Sequence, residues 1–447
     1  MAQWRFRVVS VLWLLVLSGY ILAGVEDVPF HGDESTTIWM SKDYAYLFIT
    51  DELERVRYNE PPIDAAEQQL RLITGSLTKY LMGFSWQVNG YDIADINEQW
   101  HWGFDFDWNV TNGHMPGDDL LRAGRWYSAL MLAAGVWVIF LIGLRAGGSV
   151  AAFAASFFYA INPALLVNGR RAMFEGGLIL FLLLTVLLGL YFLRQRTWWA
   201  AVALGIVAGL ALSAKHSAVF TLALVLTVCL LLVLFENRPS LQNAFRPISK
   251  LITAGLIAVS IFYALHPILW GDGLITRAEQ VVDGRSAMLE GQVGAFGGYD
   301  GLSDQLIGSL RQTFLLEPQY YEVPGWDVYI NGKVLNYEQS GLAGFVTGLP
   351  LVGVGVGVLF IIGLRGAITA RSTDTDFDER LLIVAWAVGM LLITTFITPI
   401  EWQRYYLMAI LPIVILSGVG MGVIVDALSR LFTQQFRADA PTLAQHE

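Results

Sequence analysis

Three stretches of this 447-residue chain, Ala129–Leu144, Gly177–Leu193 and Val219–Phe235, contain no charged residue at all. In hydrocarbon a peptide must satisfy its own hydrogen bonds, so runs of this length and polarity read as membrane-spanning helices rather than as buried strands. Composition agrees: 55% of residues are hydrophobic and 15% charged, against about a quarter charged in soluble domains. Collagen-like, disordered and nucleic-acid-binding classes are excluded. Cys229, the single cysteine, lies inside one of these runs, so no intramolecular disulfide can form.

A hydrocarbon core about 30 Å thick needs about 20 apolar residues per helix. Applied along the chain, this predicts spans at 8–26, 123–145, 150–167, 175–193, 198–214, 217–235, 250–270, 341–363, 380–399 and 405–427. The expected fold is an all-α, polytopic bundle of about ten transmembrane helices, within a range of roughly nine to twelve. One domain, 1–447, carries two large loops at 27–122 and 271–340. The first span reads as an uncleaved anchor rather than a signal peptide, because its apolar stretch is long for a signal and acidic residues follow at once.

Charge sorts by position. Residues 27–122 hold 17 acidic and 6 basic side chains, residues 271–340 hold 10 and 4, and the rest of the chain is net +7. With Arg5 and Arg7 inside, alternation brings Arg145, Arg194 with Arg196, Arg238 with Arg246 and Lys250, Arg365 with Arg371 and Arg380, and Arg430 with Arg437 to that same side. Both acidic loops then face outward. Residues 372–379 read as a solvated inner turn, and the tail from Gln434 as frayed.

In the first loop Leu70, Ile73, Leu77, Leu81 and Phe84 recur at helical spacing. They predict one amphipathic helix over Ile63–Phe84, lying at the membrane face. Trp100, Trp102, Phe104, Phe106 and Trp108 then alternate with polar residues; interfacial anchoring is the first reading and stacking on sugars the second. Asn109-Val110-Thr111 fits a glycosylation sequon, a triplet frequent by chance.

The informative polar groups sit at the outer ends of spans, where a charge near hydrocarbon costs about 2.5–3.5 kcal/mol or more. Four clusters qualify: His31 to Ser35; Asn168 to Glu175, including Arg170 and Arg171; Ser213 to Ser217, including Lys215 and His216; and Glu401 to Tyr406, including Arg404 and Tyr405. All open toward one face. Such a set suits a phosphate-bearing lipid: a carboxylate such as Asp33 takes a proton from an acceptor hydroxyl, and cations stabilise charge on a departing phosphate. Each member alone has a plainer reading. Asp33 can cap a helix, Arg170 and Arg171 can anchor headgroups, Lys215 can snorkel, and His216 can be a satisfied interfacial histidine. Their conjunction is what points to a site.

Together these residues resemble the polyprenyl-phosphate-dependent membrane glycosyltransferases of the GT-C superfamily, the group of protein O-mannosyltransferases and the lipid A aminoarabinose transferase. The resemblance rests on Asp33-Glu34 after the first span, Asn162-Pro163 through Glu175, Gly209 through Lys215, His266 through Trp270, and Arg404-Tyr405-Tyr406 leading to Leu411-Pro412. It implies a GT-C-like fold and an inverting transferase that moves a sugar from a dolichyl- or undecaprenyl-phosphate carrier to an acceptor hydroxyl of a protein, lipid or glycan. Asp33 becomes the expected base, with Glu34 its neighbour and Glu175 the second acidic position. Arg170, Arg171, Lys215 and Arg404 become expected contacts for the lipid phosphate, and His31, His216 and Tyr405 for sugar or acceptor. Some relatives hold a divalent metal near the site. The resemblance leaves room for one, but no histidine spacing here forms a ligand set, and no metal or other cofactor is assigned.

Expected partners are the polyprenyl-phosphate sugar donor, the bilayer, and an acceptor protein or glycolipid, with no nucleic acid. The expected place is a bacterial or archaeal plasma membrane with the site outside, ahead of the endoplasmic reticulum. Rival readings are a lipid or solute transporter, a non-catalytic receptor or assembly factor, and a phosphotransferase on the same scaffold. Charges clustered at outer helix ends favour an externally facing enzyme over a transport pathway.

Overall fold

Residues 2–238, 241–315, 317–346, 349–369 and 374–438 are described by the computed structural model. Among them are nineteen α-helices and no strand. In chain order these are α1 (Ala2–Ala23), α2 (Gly32–Met40), α3 (Lys42–Phe48), α4 (Leu53–Val56), α5 (Ala65–Ile73), α6 (Ser76–Val88), α7 (Phe106–Thr111), α8 (Asp118–Ala160), α9 (Pro163–Arg170) and α10 (Glu175–Gln195). Then follow α11 (Trp198–Ala214), α12 (Ala218–Glu236), α13 (Leu241–Leu265), α14 (Leu274–Phe296), α15 (Leu302–Leu310), α16 (Asp327–Gln339), α17 (Leu349–Thr369), α18 (Asp374–Ile397) and α19 (Leu407–Ala438).

Eight of these helices are long and apolar enough to cross a membrane, and α11 is a shorter apolar helix. The protein is an all-α, multi-pass membrane protein. At 43 residues, α8 would span about 65 Å if straight, twice the hydrocarbon thickness. It bends at Gly147-Gly148, where Gly148 takes φ +78°, a value that suits glycine. The two arms correspond to the separate spans expected at 123–145 and 150–167. The second arm ends before Asn162-Pro163, which opens α9: the Asn162 side chain accepts from the Leu165 N–H at 3.0 Å, and Pro163 occupies the first turn.

Lipid offers no hydrophobic reason for helices to associate, so close packing has to come from small residues. A Cβ on Gly363 of α17 would lie 1.8 Å from the Leu416 carbonyl oxygen of α19, and one on Gly420 of α19 would lie 2.0 Å from that of Leu359. The two backbones therefore touch. α1 is tied into the bundle by Trp13 Nε1 donating to Ser156 (3.0 Å) and Trp137 Nε1 donating to Ser18 (3.1 Å).

Two expectations are corrected. The single helix expected over Ile63–Phe84 is two helices, α5 and α6. Thr74 is extended, and Gly75 fits against the end of α11 so tightly that a Cβ there would lie 2.3 Å from the Ala214 carbonyl oxygen. Within the pair Arg71, Lys79, Met82 and Trp86 are buried in the protein, while Phe84 and Val88 are exposed. The turn expected at 372–379 is helical from Asp374, and Glu379 binds Arg145 at 2.8 Å. The first two residues of that stretch, Arg371 and the tail after Ala438 lie outside the described residues.

The two loop segments share one core. Phe30, Trp86 and Trp100 of the first pack with Tyr320, Trp326 and Tyr337 of the second. Trp100 is buried and Trp102 stacks on Trp326 (5.7 Å, 19°), so these two aromatics hold the loops together.

Candidate active site

α2 begins with a reciprocal cap. The His31 Nδ1 accepts from the Asp33 N–H at 3.1 Å, and the His31 N–H donates to Glu34 Oε2 at 3.1 Å. Successive helical residues diverge by about 100°, so the adjacent carboxylates face different surroundings. Glu34 points into the protein, fully buried; Arg125 Nε and Nη2 grip it at 2.7 and 2.8 Å, and the Ala172 N–H donates to it at 2.8 Å. Burial alone would raise its pKa, but Arg125, Arg171 and the Ala172 amide outweigh burial and hold it below the usual carboxylate range. Asp33 turns the other way, into an ion pair with Arg404.

Glu175 opens α10 and is buried; its Oε1 accepts from Lys215 Nζ at 2.6 Å, while Oε2 has no partner. Lys215 caps α11, where the chain turns extended. Arg404 lies in a 3₁₀ turn, Gln403–Tyr405, its guanidinium 4.8 Å from the Trp402 ring. Tyr405 donates to Gln292 of α14 at 2.8 Å, and Lys215 Nζ stands 6.0 Å from the Tyr405 ring.

Asp33, Glu175, Lys215, Arg285, Arg404 and Tyr405 line one cavity of about 140 Å³. A second chamber of about 100 Å³ adjoins it and shares Lys215, Arg285, Arg404 and Tyr405 as walls; its other walls include Leu178, Phe220, Leu289, Ile393, Ile397 and Met408. A chamber that holds both carboxylates thus meets one that holds neither, at a row of cations. Among the described residues no acidic side chain pairs with Arg285, which approaches only the Met288 sulfur, at 4.0 Å.

The structure brings together Asp33, Glu175, Lys215, Arg404 and Tyr405 among the residues singled out in the sequence, and leaves the others outside the cavity. Arg170 is fully buried, donating to the Ile21 carbonyl and the Tyr20 carbonyl (both 2.8 Å) and to Tyr337. It satisfies orphan carbonyls at the end of α1. Arg171 donates to Pro29 (3.1 Å) and Tyr320 (2.6 Å) carbonyls. Neither guanidinium is available to a lipid phosphate, and Glu34 is not available as a base. His31 lies under Trp102 and Trp326, hydrogen-bonded to Glu322. His216 packs by Phe262 and His266, both ring nitrogens unpartnered. Burial, then Arg285 and Lys79, lower its pKa to about 3.

Three contributors escaped sequence reading. Arg125 left a signal, a charge inside an apolar run that needed a partner. Glu322 and Arg285, in a polar loop, left none. Among the described residues no group of three or more His, Cys, Asp or Glu side chains is placed to hold a metal. The two cavity carboxylates each engage a cation instead.

Residues 68–267 match the family described as dolichyl-phosphate-mannose-protein mannosyltransferase. The matched segment includes Glu175 and Lys215 but neither Asp33 nor Arg404. No curated protein sequence matches the chain. Among solved structures, it is similar to the archaeal oligosaccharyltransferase AglB from Archaeoglobus fulgidus in complex with an inhibitory peptide and a dolichol-phosphate (14% identity, 97% of this chain, 52% of that one, TM-score 0.47). The apo form of the Archaeoglobus fulgidus oligosaccharyltransferase gives 12% identity over the same shares, with a TM-score of 0.49. The S. cerevisiae protein O-mannosyltransferase Pmt1-Pmt2 complex bound to the sugar donor gives 13%, 68%, 36% and 0.35. The chain spans about half the length of the oligosaccharyltransferases it matches. The family match agrees with the GT-C resemblance read from the sequence.

Proposed function

We propose that this protein is a membrane glycosyltransferase that moves a sugar from a polyprenyl-phosphate carrier to an acceptor hydroxyl, with inversion at the anomeric carbon. The observation that carries this reading is that two adjoining chambers share Lys215, Arg285 and Arg404 as walls, while the carboxylates Asp33 and Glu175 line only the first. In this reading the sugar of a phosphate-linked isoprenoid occupies the chamber with the carboxylates, the chain the one without, and the phosphate lies at the cations between.

In the proposed reaction Asp33 accepts the acceptor hydroxyl's proton as that oxygen attacks the anomeric carbon. The bond from that carbon to the phosphate oxygen breaks on the opposite face, and the electron pair leaves with the polyprenyl phosphate. Arg285, with Lys215, stabilises the charge that builds there. Glu175 anchors the Lys215 ammonium at the cavity wall. Arg404 pairs with Asp33 and orients it.

The match over 68–267 supports a dolichyl-type donor and an acceptor protein. Basic connectors at the far end of the bundle support an outward-facing site in a bacterial or archaeal plasma membrane. The test is transfer from purified polyprenyl-phosphate-linked sugar by the full chain in membranes. Asp33→Asn should abolish release of polyprenyl phosphate while donor binding and melting temperature persist. Undiminished release would remove Asp33 from the reaction.

A further inference from the structure

Glu322 sits in a bend of the second loop, yet its carboxylate is 7% exposed and reaches groups on both sides of Asp33. Its Oε2 bonds His31 Nε2, and its Oε1 stands 3.8 Å from Arg404 Nε. Arg404 Nη1 in turn grips Asp33, and His31 Nδ1 receives the Asp33 N–H at 3.1 Å. The four residues close a ring around the proposed base.

The ring fixes a proton. Because Nδ1 accepts a hydrogen bond from the Asp33 amide, it carries a lone pair, so the imidazole proton sits on Nε2 and is donated to an ionised Glu322. The other tautomer would place two N–H groups against each other at the start of α2. Trp102 and Trp326, 6.0 and 5.9 Å from the imidazole, cover it, and His31 is 2% exposed. Burial is the largest influence on His31 and lowers its pKa; Glu322 opposes it, and the net shift is downward.

We propose that Glu322 is a positioning residue: it accepts the Nε2 proton that the Asp33 amide leaves on His31 and braces Arg404, and through both it holds the Asp33 carboxylate toward the cavity. The inference rests on reading Asp33 as the base. It makes the second loop part of the catalytic geometry rather than only a cover.

The test uses the full chain in nanodiscs with a polyprenyl-phosphate-linked sugar. Glu322→Ala should lower kcat about tenfold or more with donor KM unchanged within about twofold. Glu322→Gln should recover most of the loss, because its amide oxygen still accepts the Nε2 proton. His31→Asn keeps an oxygen able to cap α2 but cannot reach Glu322; it should lose turnover as Glu322→Ala does, and combining the two should cost little more. Full turnover in His31→Asn or Glu322→Ala, or a loss confined to donor KM, overturns the proposal. Without substrate, ¹⁵N shifts of His31 should report the neutral Nε2–H form in the wild type, and the Nε2–H signal should move in Glu322→Ala as its acceptor is lost; a wild-type Nδ1–H form would also overturn it. A wild type that transfers no sugar removes the base and the reading of function together, whereas an active wild type with indifferent variants removes only the role of Glu322.

Discussion

Asp33 and Arg404 stand 371 residues apart and form an ion pair at the wall of the cavity. One follows the first span and the other precedes the last, so the site is complete only when the whole bundle has closed. Arg404→Ala should lower kcat/KM about tenfold to a hundredfold, the range set by a charged hydrogen bond of about 1.5–3 kcal/mol. Lysine at 404 should recover only part of this, since an ammonium cannot bridge Asp33 and Glu322 as a planar guanidinium does. Steady-state kinetics of both variants checks the point.

Arg285 and Arg170 give opposite expectations. Arg285 has no acidic partner among the described residues, so Arg285→Gln should leave the melting temperature nearly unchanged and raise donor KM about tenfold or more. Arg170→Gln should do the reverse: its buried guanidinium satisfies carbonyls of Tyr20 and Ile21, and its loss should cost about 3 kcal/mol or more of stability. Melting curves beside donor titrations separate the two. A stable Arg170→Gln with weakened donor use would return Arg170 to the phosphate site.

Gly75→Ala should be unusually harmful for a loop position. The added methyl would press on the Ser213 and Ala214 carbonyls, 2.5 and 2.3 Å away, one residue before Lys215. Backbone cannot swing aside as a side chain can, so about 1–3 kcal/mol of stability should be lost. Turnover should fall further than stability explains, because Lys215 shifts with the end of α11. Thermal melting and initial rates on one preparation measure both.

How much of this was legible beforehand depended on periodicity and polarity. Helices in lipid are announced by long apolar runs, which is why the order of spans could be read and why the Gly147-Gly148 bend fell between two of them. Asp33, Glu175, Lys215 and Arg404 were legible as charges at helix ends that needed a reason. Which of Asp33 and Glu34, and which of Lys215 and Arg170, reaches the cavity was not: that depends on side-chain direction and on which carbonyls lack partners, both properties of the folded neighbours. Arg285 and Glu322 lie in a loop already rich in charge, where no single residue stands out.

Acid should destabilise the protein through its histidines. His31, His216 and His266 all have pKa values below the ordinary 6.5, with burial the leading cause, and that of His216 lies at about 3. Above 6.5 neither folded nor unfolded chain takes up these protons. As pH falls below 6.5 the unfolded chain binds protons that the folded one refuses, so stability declines, and for His216 the decline continues to about pH 3. The melting temperature should drop between about pH 7.5 and about pH 5, and His216→Phe should reduce that drop. A melting temperature indifferent to pH in both proteins would contradict this account.

The first turn of α2 sends one carboxylate to the cavity and its immediate neighbour to the interior clamp of Arg125. Sliding that turn by a single residue would exchange their fates, leaving an immobilised acid where a proton must move and an unmatched charge where Arg125 waits. The helix therefore proofreads its own registration. Lengthening the turn between Gly24 and His31 should therefore be poorly tolerated, and the spacing from the end of α1 to Asp33 serves as a ruler for the chemistry.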